Sequence, residues 1–364
     1  MPALNDLPTP SIVIDAAIAR RNLQRLADYA KQHNFKLRPH TKTHKSLLVG
    51  RMQMELGATG LTVAKVGEAR VMAEVCHDLL MAYPAIDPLR CAELAMLSGR
   101  ITMRVGIDSV TAADALSSAA SAAGSTIGIL VDLDVGLHRT GVQSSADALA
   151  LGQHVSKLPG LRLDGLMFYP GHVKDESPAS LSELAAVEAR LAETIALWRR
   201  GGLDTAIVSG GSTPAAYQAH RLPSMTEARP GTYVYHDMNG VHGGYAKLEE
   251  CAARVHCTVV STAVPGQFVI DAGSKTLSSD KCGPAPDSGH GYVFEYPQAK
   301  IVKLTEEHGQ VDCRESDRTP KVGERVTVIP NHICPCVNLQ DQIWWQEPGQ
   351  PPRAIKVDAR GKVF

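Results

Sequence analysis

The feature that most constrains the fold is a regular alternation of two kinds of segment between residues 35 and 235. Short apolar runs of β type recur there, and alanine-rich amphipathic stretches separate them. The runs lie near residues 35–39, 59–63, 78–82, 101–106, 126–133, 163–169, 205–209 and 232–235. Alternation of strands and helices favours right-handed βαβ units around a parallel sheet. Eight such runs predict a closed (β/α)₈ barrel, so the fold class is α/β.

A doubly wound sheet is the main alternative for this pattern. No Gly-x-Gly-x-x-Gly follows the first strand, which disfavours a dinucleotide fold. After about residue 246 the segments become short and β-branched, with Gly, Pro, Asp and Ser turns between them, as in a small β domain. The extended segment 7–15 is able to add a strand to it. We therefore predict a barrel at residues 16–246 and a β domain built from residues 1–15 and 247–364.

Composition excludes several classes of function. The 364 residues carry a formal net charge of −1, so no basic field is available for nucleic acid or an anionic membrane. No apolar run approaches the roughly 18 residues of a membrane span, and the first residues lack the pattern of a signal peptide. The eight cysteines are scattered, apart from Cys334 and Cys336, and are interpreted as reduced thiols. These features predict a cytoplasmic protein.

A cluster of basic residues follows the first predicted strand. Arg38-Pro-His-Thr-Lys-Thr-His-Lys45 places two lysines, two histidines and an arginine within eight residues. Barrel enzymes keep their chemistry at the carboxyl ends of the strands, which is where this cluster falls. The alternative is a solvated basic loop.

Two loops at the last predicted strands have the composition of an anion site. Ser209–Pro214 contains two glycines, which permit a tight turn, and hydroxyls and amides that can hold an anion. Arg229–Tyr233 (Arg-Pro-Gly-Thr-Tyr) comes at the eighth run. Because strands seven and eight are neighbours, we expect both loops to form one phosphate site. An ordinary Gly/Ser loop is the alternative.

Three further segments carry polar clusters. Asp132–Gly141 follows the fifth strand and contains Arg139, which is able to reach inward to a ring oxygen or nitrogen; a surface turn is the alternative. Asp271–Lys275 and Glu306–Gly309 are loop positions of the β domain, and each either faces the barrel mouth or is a solvated turn.

A candidate metal pair lies in the β domain, in Asn331–Asn338. Residues two apart in an extended strand point to one face, so His332 and Cys334 are predicted to present imidazole and thiolate together. This pair suits zinc, although two ligands are too few for a structural site and leave positions for water or substrate. A packed histidine and a buried cysteine are the alternative.

Together these motifs resemble the fold-type III pyridoxal-phosphate (PLP) enzymes with an alanine-racemase-like N-terminal domain. Arg-Pro-His-x-Lys resembles the segment of their Schiff-base lysine, which makes that lysine Lys42 rather than Lys45. Asp-x-Gly-Leu-His-Arg-x-Gly, Gly-Ser-Thr-Pro and Arg-Pro-Gly-Thr-Tyr resemble the arginine segment and the phosphate loops. The His-x-Cys motif resembles that of the metal-dependent branch of this family. This branch contains D-threonine aldolases, 3-hydroxy-D-aspartate aldolases and D-serine dehydratases. The resemblance covers nearly the whole chain.

The resemblance implies PLP and a divalent metal (Zn, Mn or Mg), the metal on His332 and Cys334. It implies Lys42 as the catalytic lysine, and the candidates for the base are His44 and a metal-bound hydroxide. The predicted cofactor-binding residues are Lys42, His40, Arg139, Tyr169, Gly211, Ser212, Thr213, Gly231, Thr232 and Tyr233. It also implies a small-molecule substrate and a homodimer.

The reaction is less constrained than the cofactor. His-x-Cys resembles the dehydratases, whereas Pro335-x-Val-Asn-Leu-x-Asp341 and Asp271–Ser279 resemble the aldolases. We favour an aldolase, a lyase that cleaves 3-hydroxy-D-amino acids such as D-threonine to glycine and an aldehyde. The alternative is a D-serine or 3-hydroxy-D-amino acid dehydratase that forms a 2-keto acid and ammonia. A non-catalytic PLP-homeostasis protein is a further alternative, against which the C-terminal domain argues. A racemase is another, but it would not require a metal.

Overall fold

The structure is a computed structural model that describes residues 3–175 and 177–364. The chain forms two compact units. The β unit comprises the residues up to Gln24, Thr43–Lys45 and Thr232–Gly361, and the barrel unit comprises Arg25–Lys42, Ser46–Gly231 and Lys362–Phe364. The predicted domain boundaries at residues 15 and 246 stay a prediction.

After a 3₁₀ helix at Leu4–Asp6, the chain forms the strand β1 (Ser11–Asp15) and the helix α1 (Ala16–Gln32). The barrel unit then holds one parallel sheet of eight strands: β2 (Lys36–Leu37), β3 (Leu61–Val63), β4 (Asp78–Met81), β5 (Thr102–Ile107), β6 (Ile127–Leu133), β7 (Leu161–Phe168), β8 (Ile207–Gly210) and β9 (Glu227–Ala228). Helices alternate with them: α2 (Leu47–Glu55), α3 (Val66–Met72), α4 (Pro88–Ser98), α5 (Val110–Ala123), α6 (Ser145–Val155) and α7 (Pro178–Arg200).

The sheet closes on itself, which confirms the predicted barrel. Its strand order is β2-β9-β8-β7-β6-β5-β4-β3, so β2 and β3 are the two ends. Backbone hydrogen bonds join these ends: the Thr62 N–H donates to the carbonyl of Pro39 and the Thr41 N–H to that of Thr62, both at 2.8 Å. Leu80, Leu130 and Met167 form a buried cluster contributed by β4, β6 and β7. The interior is therefore a packed core, and the strand ends remain available for a site.

The eighth strand is not where the sequence pattern placed it. Residues 232–235 were predicted as a strand, but Thr232–Val234 is a 3₁₀ helix and the last strand is β9, five residues earlier. Glu227 in β9 is buried because its carboxylate pairs with the Arg38 guanidinium, so the strand has no apolar run to recognise. Pro230 has no N–H and cannot extend the ladder.

The β unit is a nine-stranded sheet with short helices. Its elements after the barrel are α8 (Met238–His242), β10 (Ala253–Ser261), β11 (Gln267–Ile270), α9 (Ser274–Leu277), β12 (Tyr292–Val293), β13 (Lys300–Leu304), β14 (Gly309–Asp312), β15 (Arg325–Ile329), α10 (Ile333–Asn338), β16 (Gln342–Gln346) and β17 (Arg353–Lys356). The strand order is β11-β14-β13-β12-β15-β10-β1-β16-β17. Strand β1 pairs antiparallel with β10 and parallel with β16, and the other pairings are antiparallel. All eight cysteines are described and buried, and none of them forms a disulfide. Among the described residues, no helix combines the length and apolarity needed to cross a bilayer.

Candidate active site

The basic segment after β2 separates into buried and accessible side chains. Arg38 is 1% exposed and pairs with the carboxylates of Glu227 at 2.8 Å and Asp78 at 2.6 Å, so its charge is already neutralised. His40 is half-buried, and its Nδ1 accepts a hydrogen bond from the Lys42 N–H at 3.3 Å. The Lys42 side chain is exposed. Of these residues, Lys42 has the amine that a ligand can reach.

Lys45, the other lysine of the segment, is held in the β unit. It is 5% exposed and has a left-handed backbone, with φ 49°. Its Nζ donates to the carbonyl of Ala359 at 3.4 Å, and its own carbonyl accepts from the Ala359 N–H at 2.9 Å. This burial favours Lys42 over Lys45 as the Schiff-base lysine. His44, the predicted base, is fully buried.

The two predicted phosphate loops meet in the barrel unit. At the end of β8, Gly210 lies so close to Phe168 that a Cβ would fall 2.0 Å from the ring, and Gly211 has φ 81°. A side chain would clash with the ring at position 210 and would strain the backbone at position 211, so glycine fits both positions. Ser212 and Thr213 are buried, and the Thr213 hydroxyl accepts a hydrogen bond from the Gly231 N–H at 3.1 Å. The loops after β8 and β9 therefore form one cradle of hydroxyls and amides.

The loop after β6 carries Arg139. Its guanidinium lies over the ring of Tyr169, 4.7 Å from the ring centroid, and the arginine is exposed. Beneath it, the Asp132 carboxylate accepts from the Thr140 hydroxyl at 2.8 Å. Burial raises the pKa of Asp132 to about 6, against the Thr140 hydrogen bond and the positive charge of Arg229, which lower it. Arg139 and Tyr169, both predicted to bind the cofactor, are thus brought into contact around a small cavity.

Arg229 is a candidate functional residue that the sequence reasoning did not select. It directly follows β9 and is buried; its Nη2 donates to the carbonyl of Phe168 at 2.9 Å. Its Nη1 is buried and has no hydrogen-bond acceptor among the described residues. Burial lowers the pKa of Arg229 to about 10, although Asp132 and Glu227 raise it. The signal available in the sequence was its place immediately before the Pro-Gly-Thr loop.

These residues of the barrel unit fit a phosphorylated, heteroaromatic cofactor. The buried Nη1 of Arg229 is a donor that the protein leaves for a ligand, since a buried polar group without a partner is costly. The cradle at Gly211–Thr213 supplies short hydroxyl side chains and close backbone approach. Lys42 supplies an accessible amine.

The metal pair lies in the β unit, but not on a strand. His332 and Cys334 were predicted on an extended strand; instead His332 is the N-cap of α10 and Cys334 is in its first turn. The Asp237 carboxylate, distant in sequence, accepts from the Ile333 N–H at 3.0 Å and thereby caps the helix. The strand interpretation was wrong because this cap is not visible locally. The two side chains nevertheless share a hydrogen bond.

The surroundings of the pair are polar, and Cys334 is more buried than His332. Two hydroxyls contact the Cys334 sulfur: Thr43 Oγ1 at 3.1 Å and Thr232 Oγ1 at 3.7 Å. His332 Nδ1 lies 2.7 Å from the Asp280 carboxylate. Burial alone would lower the pKa of His332, but Cys334, Asp237 and Asp280 raise it to about 9. Burial also raises the pKa of Asp237, to about 6.

The donor set fits a divalent metal in part. With Nδ1 turned to Asp280, His332 has Nε2 for a metal, and imidazole with thiolate suits zinc. Within the described ranges, no group of three or more His, Cys, Asp or Glu side chains is placed to hold a metal ion. The neighbouring Cys336 is fully buried, and its thiol donates to the carbonyl of His332 at 3.2 Å. Any metal here therefore keeps positions for other ligands.

Other predicted residues have simpler surroundings. Thr232 is half-buried against Cys334, and Tyr233 is 3% exposed in the same 3₁₀ helix. The two polar clusters of the β unit pair with each other, because Lys275 Nζ lies 2.8 Å from both Glu306 and Glu307. All three side chains are exposed, which agrees with the solvated-turn interpretation.

Comparison with known proteins now defines the class. Residues 14–239 match the family model "Alanine racemase, N-terminal domain", and residues 252–345 match a serine dehydratase domain. The chain belongs to the alanine racemase N-terminal domain family, with the fold of the fold-type III PLP enzymes, as the resemblance predicted.

Particular relatives narrow this class. The chain is 31% identical to D-threonine aldolase from Arthrobacter sp. over 97% of its own length and 93% of the relative. It is 32% identical to D-threo-3-hydroxyaspartate dehydratase from Delftia sp. (strain HT23), over 90% and 91%. The crystal structure of D-threonine aldolase from Filomicrobium marinum superimposes with a TM-score of 0.92 at 32% identity, covering 99% of this chain and 98% of that one.

Proposed function

We propose that the chain is a PLP- and divalent-metal-dependent lyase that cleaves 3-hydroxy-D-amino acids such as D-threonine to glycine and an aldehyde. One observation carries the proposal. The sulfur of Cys334 contacts the hydroxyls of Thr43 and Thr232, which directly follow Lys42 and Gly231 in the chain. Each hydroxyl that contacts the proposed metal ligand is thus one position along the chain from a proposed cofactor-binding residue, and this connectivity supports the proposal.

The barrel residues divide the binding of the cofactor among them. Lys42 would hold it covalently, and the loop Gly211–Thr213 with Gly231, Thr232 and Tyr233 would bind its phosphate. Arg139 and the buried Nη1 of Arg229 would contact polar atoms of its ring, and His40 and Tyr169 would flank it. When bound, PLP supplies an electron sink for the negative charge that develops on the substrate.

His332 and Cys334 would hold the metal. Asp280 fixes the orientation of the imidazole, because its carboxylate lies 2.7 Å from Nδ1 and leaves Nε2 for the ion. When bound, a divalent metal supplies Lewis acidity for the β-hydroxyl of the substrate. Thr43 and Thr232 orient the Cys334 sulfur by hydrogen bonding.

Proton transfer decides between the two reactions. In the aldolase reaction a base takes the proton of the β-hydroxyl, and His44 is the candidate that the sequence supplies. In the dehydratase reaction, the free amine of Lys42 takes the proton from Cα instead. The second reaction stays a candidate because this chain has His-x-Cys at the metal and is similar to a dehydratase at 32% identity.

Products distinguish the candidates directly. The purified protein with PLP and Mn²⁺ or Zn²⁺ is incubated with D-threonine and with D-serine. Glycine and acetaldehyde from D-threonine support the aldolase, whereas keto acid and ammonia support the dehydratase. If neither substrate reacts while the protein still binds PLP, the lyase proposal fails and the homeostasis interpretation gains. A loss of turnover with EDTA that added metal restores is expected in both enzymatic cases.

The proposal includes a cytoplasmic homodimer that acts on a small molecule. The molar mass measured by light scattering during size-exclusion chromatography tests the homodimer. A monomer at all protein concentrations would contradict this proposal.

A further inference from the structure

A second lysine follows the strand next to that of Lys42, at the carboxyl edge of the barrel. Lys65 comes two residues after β3, at the N-cap position of α3, and Tyr83 comes two residues after β4. The Lys65 ammonium lies over the Tyr83 ring, 3.4 Å from its centroid. Neither Lys65 nor Tyr83 is among the residues predicted to bind the cofactor or the metal.

The strand pairing explains why these two side chains meet. In the parallel pair β3–β4, Val63 lies opposite Met81, so the residues two positions later leave the sheet at the same level. The same argument relates Lys65 to Lys42. His40 pairs with Thr62, and the two lysines follow within three residues of this bridge. Both amines therefore extend from the carboxyl ends of adjacent strands, where barrel enzymes bind their substrates.

The charge of Lys65 is not balanced by the protein. The residue is half-buried, yet no carboxylate in the described part of the chain lies within ion-pair distance of its Nζ. The exposed Lys275, in contrast, is bracketed by two glutamates. An aromatic face attracts the ammonium but accepts none of its three N–H groups in the geometry of a strong hydrogen bond. The Lys65–Tyr83 pair thus has the donors and the charge for an anion.

The ring of Tyr83 also reduces the cost of binding. A lysine on a flexible stem loses conformational freedom when it closes on a ligand. Contact with Tyr83 restricts that freedom in advance. Tyr83 is 39% exposed, so the pair is open to solvent and to a ligand that enters from the barrel edge.

We propose that Lys65, held over Tyr83, binds a carboxylate of the substrate. The inference rests on the proposed function for the identity of the ligand as an amino acid. Two carboxylates share the required chemistry: the α-carboxylate that every amino-acid substrate carries, and the side-chain carboxylate of a dicarboxylic substrate. A ligand pair that differs in the second carboxylate separates these two sources.

The test measures binding and turnover separately. Dissociation constants of D-alanine and D-aspartate are determined by calorimetry on the PLP-loaded enzyme, for wild type and for Lys65→Met. Loss of one hydrogen bond to a charged group weakens binding by roughly 10- to 100-fold. Weaker binding of both ligands identifies the α-carboxylate, and weaker binding of D-aspartate alone identifies the side-chain carboxylate. Unchanged constants for both ligands would overturn the proposal.

Two further variants protect this result. Lys157→Met removes an exposed lysine from the opposite end of a barrel strand, in the turn before β7, and should bind both ligands like wild type. Tyr83→Leu keeps the amine and removes its platform, so it should weaken the same ligand as Lys65→Met by a smaller factor, and it decides the question if Lys65→Met does not fold. Binding that depends on Lys65 in a protein that cleaves neither D-threonine nor D-serine would keep this inference and reject the proposed lyase. Lyase activity with constants unchanged by Lys65→Met would do the reverse.

Discussion

Two sets of cations in the barrel unit differ in how their charge is balanced. The inner ion layer consists of Arg38 and Arg104 with Asp78, Asp164 and Glu227, at or near the strands. Arg38 lies 2.8 Å from Glu227, and Arg104 lies 2.7 Å from Asp164. The edge cations are Lys42, Lys65, Arg139 and Arg229, which follow the strand ends. Within the described ranges, no carboxylate forms an ion pair with any of these four.

Under the proposed function, the difference separates the charges that serve the fold from those that bind ligands. A buried guanidinium without a partner would destabilise the barrel, so the inner layer contains its own carboxylates. At the strand ends, two cations lie over aromatic rings and one is buried with a free Nη1. Cations at the carboxyl edge that form no direct ion pair are typical of a site that binds anions.

The largest effect is expected for Lys42. Lys42→Ala should reduce turnover by roughly 10⁴-fold or more, because the reaction loses its covalent anchor for the cofactor. The melting temperature of the cofactor-free protein should not change, since the Lys42 side chain is exposed and forms no ion pair with a described residue. Lys45→Ala is the control: it should lower stability while retaining the absorption band of bound PLP. The reverse pattern would place the cofactor on Lys45.

The inner ion layer should respond in stability rather than in binding. Arg38→Met leaves Glu227 buried without its partner, which costs about 3–5 kcal/mol. Arg162→Met, at a side chain that is 49% exposed and pairs with Asp164, should cost about 1 kcal/mol or less. Urea unfolding followed by tryptophan fluorescence measures both. Equal urea midpoints for Arg38→Met and Arg162→Met would contradict the structural role of the inner ion layer.

Two buried aspartates beside the edge cations should change stability with pH in opposite directions. Burial raises the pKa of Asp132 to about 6, so the folded state binds its proton more tightly than the unfolded chain does. Its contribution is complete below about pH 4 and is lost as the pH rises to about 6; roughly two pKa units correspond to about 3 kcal/mol. Asp132→Asn should remove this dependence from unfolding curves recorded between pH 4 and 7.

Asp134 provides the matched comparison. Burial alone would raise its pKa, but the N–H groups of Gly136 and His138 bond its carboxylate and hold the pKa below the usual value. Its contribution to stability is therefore present above the unfolded pKa and is lost as the pH falls towards the folded value. Asp134→Asn should therefore reduce the loss of unfolding free energy as the pH falls. The same sign for both variants would show that the charge environment of this loop is misassigned.

The smallest effect is expected for Arg139. Arg139→Met should weaken PLP binding by about 10-fold, the lower end of the range for a lost hydrogen bond to a charged group, because the residue is exposed. Stability should stay within about 0.5 kcal/mol of wild type. Titration of the cofactor-free protein with PLP gives the constant, and Arg200→Met on α7 controls for the lost charge. An unchanged dissociation constant for PLP would show that Arg139 does not bind the cofactor.

Sequence patterns predicted the barrel because its strands are buried on both faces. Every residue of β6 is buried, so Ile127–Leu133 forms a run that is apolar apart from Asp132 and is visible without any partner. Strand β9 was not predicted, for the opposite reason. It has two residues, and Glu227 is buried only because Arg38 lies across from it. A strand that depends on an ion pair with a distant residue has no local signal.

The site shows the same limit. The tight turn at Gly211 was predictable because consecutive glycines permit it, whereas its predicted anion binding stays a prediction. The helix at His332 was not, since its cap is the carboxylate of Asp237 from another part of the chain. Lys65 was missed because one lysine after a strand resembles any helix start. Its significance depends on Tyr83 lying beneath it.

The assignment of the cofactor to Lys42 is tested most directly by chemical trapping. The protein with bound PLP is reduced with borohydride and digested, and the labelled peptide is located by mass spectrometry. We expect the pyridoxyl group on Lys42, with no label on Lys45 or Lys65. A label on Lys45 or Lys65, or no stable label at all, would contradict the account of the edge cations and of the reaction they support.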